Sequence, residues 1–379
     1  MTAPYPERFR DRDRWILQHR TERNALDPHQ PYAFLIEEER AASGDVVSVA
    51  TIFLTNRECP WRCLMCDLWK NTLTDTVPPA AIPAQINYAL SRLLAADANR
   101  RDNAAAEPAS ACGGEAASSR VSTGAAPRQI KLYNSGSFFD PRAIPPEDYA
   151  AIAGQVQPFE RVIVECHPAL VGDACLRFRD LLAAADASPR TDATLEASRL
   201  AGVPALGDSH ETKLEVAMGL ETVHPEVLKK LNKRMTLDQF ARAADFLRRN
   251  AMALRVFILV KPPFLDEAEA LHWAKRSLDF AFECGATVAS LIPTRLGKGA
   301  LEALAQQGRF SPPRLSTLEV AAAYGIGLRR GRVFADLWDL EKFSDCPHCF
   351  EPRQARLRVM NLQQIVPPEC TCQRCRAGQ

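Results

Sequence analysis

Short runs of apolar, β-branched residues recur along this chain, and helical patterns lie between them. Six runs predict strands at residues 48–55, 129–134, 161–166, 213–218, 254–260 and 287–292. The runs are continuously apolar, which is typical of parallel strands buried on both faces. Between two of them, Thr236 and Gln239 form a capping-box pattern at the start of a helix over Leu237–Arg249. We therefore expect an α/β fold, a partial (β/α)6 barrel of the TIM type.

Composition along the chain changes at several places. Residues 99–127 and 186–210 are rich in small and charged residues and poor in large apolar ones. We expect both to be surface insertions and the first to be disordered, because so little apolar surface cannot offset the entropy of ordering. After the last predicted strand, the alternation of strands and helices stops. We divide the chain into an N-terminal extension (1–47), a barrel (48–328) and a C-terminal cysteine-rich module (329–379).

The bulk properties describe an ordinary globular protein. Of its 379 residues, 46% are hydrophobic and 25% are charged, which is enough apolar surface for a sizeable core. The formal net charge of +1 argues against indiscriminate binding to polyanions, although it leaves room for a local basic patch. Residues 1–23 lack the apolar core of a secretory signal, and no apolar run is long enough to cross a bilayer. We expect a cytoplasmic protein that does not associate with membranes.

Eight of the twelve cysteines fall in two clusters, and in a large intracellular protein such clusters more often bind metal than form disulfides. The first cluster, Cys59-Pro-Trp-Arg-Cys63-Leu-Met-Cys66, follows the first predicted strand directly. Three thiolates are an incomplete set for structural zinc, but an iron–sulfur cluster held by three cysteines keeps one iron open for another ligand. The alternative is three buried thiols that behave as small apolar side chains.

The C-x3-C-x2-C spacing after the first strand resembles the signature of the radical S-adenosylmethionine superfamily. The resemblance implies that Cys59, Cys63 and Cys66 ligate a [4Fe–4S] cluster, whose fourth iron is chelated by the amino and carboxylate groups of S-adenosylmethionine. An electron from a flavodoxin- or ferredoxin-like donor then cleaves the sulfonium, and the 5′-deoxyadenosyl radical abstracts hydrogen from a C–H bond. Met65 matches a family position whose side chain packs near the adenine. An ordinary core methionine is the alternative.

Polar residues follow the second predicted strand, at the edge where β/α barrels place their active sites. Asn134, Ser135, Gly136 and Ser137 form a glycine-containing turn whose backbone can approach a ligand closely. In the superfamily this position holds a Gly-Gly-Glu-like segment that binds the methionine amine, and the resemblance implies a cofactor-binding role here. This sequence departs from the family pattern because the turn has no acidic residue. A simple turn is the alternative.

Three candidate catalytic residues lie at other strand ends. Glu165 and His167 end the third strand and share one face of an extended chain. His167 is a proton donor or ligand contact in one interpretation and a hydrogen-bonded structural residue in the other. Lys261 follows the fifth strand and precedes two prolines that fix the exit of the chain. Contact with substrate is one role for Lys261, and an ordinary solvated lysine is the other.

The fourth and sixth strands add candidate cofactor contacts. A carboxylate buried in the fourth strand needs a partner, and the sequence offers Glu215 and Glu221. Superfamily members often bind ribose from this strand, so the resemblance implies that one of the two contacts the ribose. A buried salt bridge explains either residue equally well. Ile292 ends the sixth strand, where we expect it to supply apolar packing for the adenine.

The second cysteine cluster lies at the C-terminus. Cys346-Pro-His-Cys349 and Cys370-Thr-Cys372-Gln-Arg-Cys375 are about twenty residues apart, close to the spacing of C-x2-C pairs in zinc sites. Four thiolates around zinc would hold together a module that has few apolar residues. The fifth cysteine is a spare, either Cys370 or Cys375, and the histidine within the first pair is a further candidate ligand. A second iron–sulfur cluster is the alternative to zinc.

Within the superfamily, residues 131–146, residues 214–222 and the tail from Cys346 to Asn361-Leu362 resemble the radical enzyme family of archaeosine synthesis, which is related to the elongator catalytic subunit. The resemblance implies a tRNA substrate and a partner modification enzyme, with cleavage of a lysine adduct on a 7-deazaguanine base. The gap from Cys59 to Cys63 is shorter than in those relatives. Two alternatives are a radical enzyme that acts on a small metabolite or peptide, and a non-catalytic, metal-stapled protein that binds nucleic acid.

Overall fold

A computed structural model of the chain describes residues 4–106, 126–187, 211–297, 299–370 and 372. The strands are β1 (Ala33–Arg40), β2 (Val46–Phe53), β3 (Gln129–Tyr133), β4 (Arg161–Glu165), β5 (Lys213–Glu221), β6 (Ala253–Val260), β7 (Val288–Pro293) and β8 (Arg332–Ala335). The α-helices are α1 (Phe9–Gln18), α2 (Ala81–Ala106), α3 (Tyr149–Val156), α4 (Asp173–Ala187), α5 (Pro225–Lys230), α6 (Leu237–Arg249), α7 (Glu267–Glu283), α8 (Ala300–Gln306), α9 (Leu315–Gly327) and α10 (Pro347–Gln363).

The strands of the described residues form a single sheet in the order β1 to β8. Strand β1 pairs with β2 antiparallel, and each later neighbouring pair is parallel. Strands β2 to β7 match the six predicted strands, and the sheet curls into a half-barrel. The predicted α/β class with a partial barrel is therefore confirmed.

Three features differ from the expectation. The apolar pattern does not predict β1, which carries the charged run Glu37 to Arg40, or β8, which has four residues. Because β8 pairs with β7, the parallel sheet extends beyond residue 328 into the segment assigned to the C-terminal module. Helix α2 continues to Ala106, so the first residues of the 99–127 segment belong to this helix. Residues 107–125 and 188–210, most of the two expected insertions, lie outside the described residues.

Helix α6 begins as its sequence predicts. The Gln239 amide N–H donates to Thr236 Oγ1 at 3.1 Å, and the Thr236 N–H donates to Gln239 Oε1 at 2.9 Å. Each bond satisfies a backbone donor that the helix itself leaves unpaired. Phe240 and Leu247 are then buried against the sheet and contribute about 1.5–3 kcal/mol each. None of the described helices is long and apolar enough to cross a membrane.

A network of ion pairs fills the inside of the curled sheet near the start of β5 and β6. Lys131 Nζ lies 2.7 Å from Glu39 Oε2, and Arg255 bridges Glu39 Oε1 at 2.5 Å and Glu215 Oε1 at 2.7 Å. Burial alone would raise the pKa of the Glu39 carboxyl, but Arg255 and Lys131 outweigh burial and hold the pKa well below its ordinary value. The network ties β1 to β3, β5 and β6 across the interior.

Side chains of the C-terminal segment bond the outer edge of β8. The Ala335 N–H donates to Asn361 Oδ1 and the Ala335 carbonyl accepts from Asn361 Nδ2, both at 2.8 Å. The Val333 N–H donates to Gln364 Oε1 at 2.7 Å, and the Val333 carbonyl accepts from Gln364 Nε2 at 2.8 Å. Two side-chain amides thus occupy the positions that a ninth strand would take.

Candidate functional site

The three cysteines of the first cluster lie on one loop, residues 59–66, called the cysteine loop below. The loop follows β2 at the C-terminal edge of the parallel strands. Its Leu64 N–H donates to the Leu231 carbonyl at 2.9 Å, and its Arg62 carbonyl accepts from Asn232 Nδ2 at 2.7 Å. Both partners lie just after helix α5, so the segment between β5 and α6 holds the loop in place.

Glu58, directly before the cysteine loop, forms ion pairs with three arginines. Its carboxylate lies 2.7 Å from Arg20, 2.9 Å from Arg62 and also contacts Arg23. Burial would raise the pKa of Glu58, but the bonds from Arg20 and Arg23 outweigh it and lower the pKa. This cluster fastens the segment after α1 to the base of the loop.

The three thiols of the loop are held in surroundings that favour the protonated form. Burial raises the pKa of Cys63 to about 12, although Lys233 opposes the rise. Burial likewise raises the pKa of Cys66 well above its ordinary value and that of Cys59 to a smaller extent. Metal coordination deprotonates a thiol because the ion's positive charge compensates the thiolate. These thiols therefore fit a role as metal ligands, and their surroundings do not favour free reactive thiolates.

The turn that the sequence singles out after β3 packs directly on the cysteine loop. A Cβ atom placed on Gly136 would lie 2.9 Å from the Cβ of Cys59, so only glycine allows this approach. Ser135 adopts a φ of +55° and lies 3.1 Å from the Tyr32 hydroxyl. Ser137 Oγ accepts the His167 N–H at 3.4 Å, and Asn134 is buried at the start of the turn. The turn thus meets the first cysteine through Gly136.

The two candidates at the end of β4 differ in character. Glu165 is half-buried, and burial raises its pKa to about 7, partly opposed by backbone N–H groups of the turn. His167 stacks on Trp61, accepts the Ala169 N–H at Nδ1 and so donates from Nε2 to the Lys233 carbonyl at 3.1 Å. Burial and the nearby Lys233 lower the pKa of His167 to about 3. His167 is therefore neutral at pH 7 and fully hydrogen-bonded, as in the structural interpretation.

The two glutamates of β5 lie at opposite ends of the strand. Glu215 is fully buried in the ion-pair network near the N-terminal end, away from the cysteine loop. Glu221 lies at the C-terminal edge with a φ of +65° and pairs with Lys233 at 2.8 Å. A Cβ atom at position 219 would lie 2.2 Å from Glu221 Oε1 and 2.6 Å from Lys233 Nζ, so a side chain there would displace this ion pair. Both glutamates are salt-bridged, and only Glu221 stands near the loop.

The remaining candidates separate into an apolar pair and a lysine. Met65 and Ile292 pack against the same buried cluster, which includes Leu231 and Leu259. Lys261 is buried, and its ammonium group is bonded to Glu267 at 2.8 Å, Ser311 Oγ at 2.9 Å and the Pro312 carbonyl at 3.4 Å. It lines a cavity of about 400 Å³ beside the C-terminal module. Met65 and Ile292 thus share one apolar cluster, while the Lys261 ammonium is bonded beside a separate cavity.

Sequence reasoning missed several residues in the surroundings of the loop. Lys233 and Asn232 come from a linker without an apolar pattern, and Tyr32 precedes the unpredicted strand β1. Their contacts join segments far apart in the chain, so nothing local in the sequence signals them. Trp61 lies inside the cysteine motif, so sequence reasoning could have singled out its bulky ring.

At the C-terminus, the ligand atoms of Cys346, Cys349 and Cys372 all lie within 4.8 Å of one another. The Sγ atoms of Cys346 and Cys372 are 3.9 Å apart. Tetrahedral sulfur ligands about 2.3 Å from one zinc ion would be about 3.8 Å apart, so the spacing suits a single ion. Cys370 does not belong to this group, and Cys375 lies outside the described residues.

This chain is similar to several known proteins. No family model matches the chain. An uncharacterized protein of Methanocaldococcus jannaschii is 21% identical over 380 residues, which cover 94% of this chain and 88% of that protein. Archaeosine synthase subunit beta of Methanosarcina acetivorans is 29% identical over 201 residues, and that of Thermococcus kodakarensis is 29% identical over 200 residues.

The matches to the two archaeosine synthase subunits are partial. They cover 50% and 51% of this chain, and they span 49% and 53% of the two subunits. Among solved structures, the chain is similar to the radical S-adenosylmethionine methyltransferase TsrM of Kitasatospora setae, with a TM-score of 0.39 and 15% identity over 68% of this chain and 39% of that one. It is also similar to the archaeal Elp3 of Methanocaldococcus infernus, with a TM-score of 0.40 and 13% identity over 65% of this chain and 57% of that one.

Proposed function

We propose that this chain is a radical S-adenosylmethionine enzyme that holds a [4Fe–4S] cluster on Cys59, Cys63 and Cys66. The observation that carries the proposal is the cysteine loop at the C-terminal edge of the half-barrel, with the Gly136 turn packed against its first cysteine. When bound, the cluster supplies the electron that cleaves the sulfonium, and the nucleoside radical takes a hydrogen atom from the substrate.

The chain's own residues fit the organic part of this cofactor. The Asn134 side chain is fully buried, and its amide nitrogen and oxygen have no hydrogen-bond partner among the described residues. An unmet buried amide costs about 1–3 kcal/mol, which a polar ligand group or an ordered water at the turn offsets. Met65 and Ile292 offer the apolar surface that a purine ring needs. We assign Asn134 to Ser137 to the polar part of the cofactor and Met65 and Ile292 to its adenine.

We further propose that the substrate is a nucleobase in tRNA, modified together with a partner enzyme. The support is the similarity over half the chain to two archaeosine synthase beta subunits. By that analogy, the reaction would cleave a lysine adduct on a 7-deazaguanine base. Saturable tRNA binding and product formation on adduct-bearing tRNA test this step, and radical chemistry without tRNA binding would instead favour a small metabolite or peptide substrate.

The C-terminal cysteines hold zinc in this proposal. The 3.9 Å separation of Cys346 Sγ and Cys372 Sγ supports one ion in place of a larger iron–sulfur cluster. Zinc here would fasten residue 372 to the start of α10 and so close the C-terminal module.

Anaerobic reconstitution tests the central proposal. We expect about four iron atoms and four sulfides per chain in the loop cluster, and 5′-deoxyadenosine after addition of dithionite and S-adenosylmethionine. Alanine at Cys59, Cys63 or Cys66 should abolish both the iron and sulfide of the loop cluster and the formation of 5′-deoxyadenosine. Cys284→Ala is the matched control, because Cys284 is half-buried and lies outside both clusters. A colourless protein that holds zinc alone and leaves S-adenosylmethionine intact would overturn the proposal.

A further inference from the structure

Two basic side chains lie against the ring of Phe264, in the segment after β6. The Lys230 ammonium nitrogen is 5.2 Å from the ring centroid, and the guanidinium carbon of Arg309 is 5.0 Å from it. The Phe264 N–H also donates to the Arg309 carbonyl at 3.0 Å, so the backbone holds the ring and the arginine together. Phe264 has a φ of +74°, which is uncommon for a bulky residue. The fold thus brings two positive charges to one aromatic ring.

This pair of cations lies beside the cysteine loop. Phe264 and Met65, a residue of the loop, pack against the same buried cluster, which contains Leu64. Residue 231, directly after Lys230, is the one whose carbonyl accepts the Leu64 N–H. The Tyr5 hydroxyl donates to the Lys230 carbonyl at 2.6 Å. The backbone of Lys230 is therefore fixed within one residue of a hydrogen bond that holds the loop.

The two cations have no acidic partner. No carboxylate of the residues that the structure describes lies within salt-bridge distance of Lys230 or Arg309. The basic residues next to them are paired, because Lys229 Nζ lies 2.7 Å from Glu226 Oε1 and Arg234 forms an ion pair with α1. Two neighbouring cations without a counter-charge attract an anion from solution.

An exposed aromatic ring extends this basic surface. Phe9, at the start of α1, is 54% exposed, and the Arg234 guanidinium carbon lies 5.6 Å from its ring centroid. Arg234 is four residues after Lys230 and pairs with Asp13 of α1. Exposed rings among lysines and arginines are typical of surfaces that bind single-stranded nucleic acid, where bases stack on the rings and cations contact the phosphates. Four residues make up the surface called the docking face below: Phe9, Lys230, Arg234 and Arg309.

The composition of the docking face favours a polynucleotide over other anions. A free phosphate or a carboxylate would contact the cations but would leave the ring of Phe9 exposed to water. A polynucleotide strand carries both phosphates and flat bases, so it matches both parts of the face. The formal net charge of the whole chain is only +1, so the attraction comes from this local group of cations.

We propose that the docking face binds the sugar–phosphate backbone of the substrate RNA, with one base stacked on Phe9, and so holds the strand beside the cysteine loop. The inference rests on the proposed function, because it needs an RNA substrate. The face is built from the N-terminal extension, the end of α5 and the segment after α8. Each phosphate contact displaces counterions from the strand, so the affinity should fall steeply as salt is added.

Salt-dependent binding tests the cations of the docking face. A labelled tRNA transcript is titrated into the reconstituted protein at several KCl concentrations. We expect Lys230→Gln and Arg309→Gln each to weaken binding about threefold to tenfold and to reduce the slope of log K against log [KCl] by about 0.7. Lys229→Gln is the matched control, because Lys229 is adjacent and already paired with Glu226, so both affinity and slope should stay. Titrations are normalised to the iron content of each preparation, so incomplete folding does not lower the affinity.

Replacing Phe9 separates stacking from charge. We expect Phe9→Ala to bind the transcript about fivefold to hundredfold more weakly, with an unchanged salt slope, because a stacked base releases no counterion. Leu17→Ala is the control for this variant, since Leu17 is 46% exposed on the same helix. It should bind as the wild-type protein does.

Three results would contradict the inference. Wild-type affinity and slope in the Phe9, Lys230 and Arg309 variants would overturn it and leave the proposed function standing. Weaker binding of guanosine 5′-monophosphate in the two cation variants, with tRNA binding unchanged, would assign the cations to a free phosphate. A wild-type protein that cleaves S-adenosylmethionine but binds no tRNA would remove the proposed substrate together with this inference.

Discussion

The indole ring of Trp61 stacks on the imidazole of His167 with ring centroids 3.8 Å apart and an interplanar angle of 15°. One ring belongs to the cysteine loop and the other follows β4, so the stack joins the cysteine loop to the sheet. The His167 ring is itself fixed by the Lys233 carbonyl and the Ala169 N–H. The orientation of the loop between Cys59 and Cys63 therefore depends on a residue that touches neither thiol.

Replacing His167 tests this dependence. His167→Ala removes the stack and two buried hydrogen bonds, and we expect about 2–3 kcal/mol less stability together with faster loss of iron. His167→Phe keeps a ring for Trp61 and should retain most of the iron. Iron release to a chelator, followed by absorbance, measures the effect. Equal release rates for both variants would contradict a role for the stack.

Gly136→Ala is expected to disturb the cysteine loop by steric contact. The added methyl group would lie 2.9 Å from the Cβ of Cys59, and the clash involves two backbone-anchored atoms that cannot swing aside. We expect reduced iron content after reconstitution and reduced 5′-deoxyadenosine formation. Gly154→Ala is the control, since nothing lies within 4 Å of its added Cβ and alanine favours a helix by about 0.5–1 kcal/mol. Full iron content in Gly136→Ala would show that the turn can retreat.

The C-terminal cysteines should differ in their effect on metal content. Serine at Cys346, Cys349 or Cys372 is expected to release the ion, because these three ligand atoms lie together. Cys370→Ser should keep it. Zinc and iron analysis by mass spectrometry, with the loop cysteines intact, distinguishes the two outcomes. Metal loss in Cys370→Ser would place Cys370 in the coordination sphere, and stoichiometric iron at this site would replace zinc by a cluster.

The ion-pair network predicts how stability depends on pH. The pKa of Glu39 lies well below its ordinary value of 4.5 because of Arg255 and Lys131, so the unfolded chain binds more protons than the folded one in acid. The stabilisation is present above pH 4.5 and is lost as the pH falls through the native pKa. Denaturant titrations from pH 7 to pH 3 should show the free energy of unfolding falling below pH 4.5.

The variant Glu39→Gln isolates the contribution of Glu39 to the pH dependence of stability. It leaves Arg255 and Lys131 partly uncompensated, and breaking a buried ion pair from one side costs about 3–5 kcal/mol. The variant should therefore be less stable at pH 7 and lose less further stability in acid. Parallel pH profiles for the two proteins would mean that Glu39 keeps its ordinary pKa in the folded state.

The apolar pattern predicts those features of the fold that depend on residues close together in the chain. Strands β2 to β7, the cap of α6 and the cysteine loop after β2 all follow from local sequence. The pattern does not predict strand β1, because Glu37 and Glu39 face the barrel interior and pair there with Lys131 from another strand. The separate positions of Glu215 and Glu221 also depend on distant arginines and a lysine, so the sequence leaves the choice between them open.

The hydrogen bonds between the side-chain amides of Asn361 and Gln364 and the edge of β8 have a consequence for any shortened form of the chain. A fragment cut before residue 347 would keep β1 to β8 and the cysteine loop. It would also present the backbone N–H and carbonyl groups of Val333 and Ala335 to solvent. Such an open edge pairs readily with the same edge of another molecule. The C-terminal segment thus covers a sheet edge that would otherwise be open to such pairing.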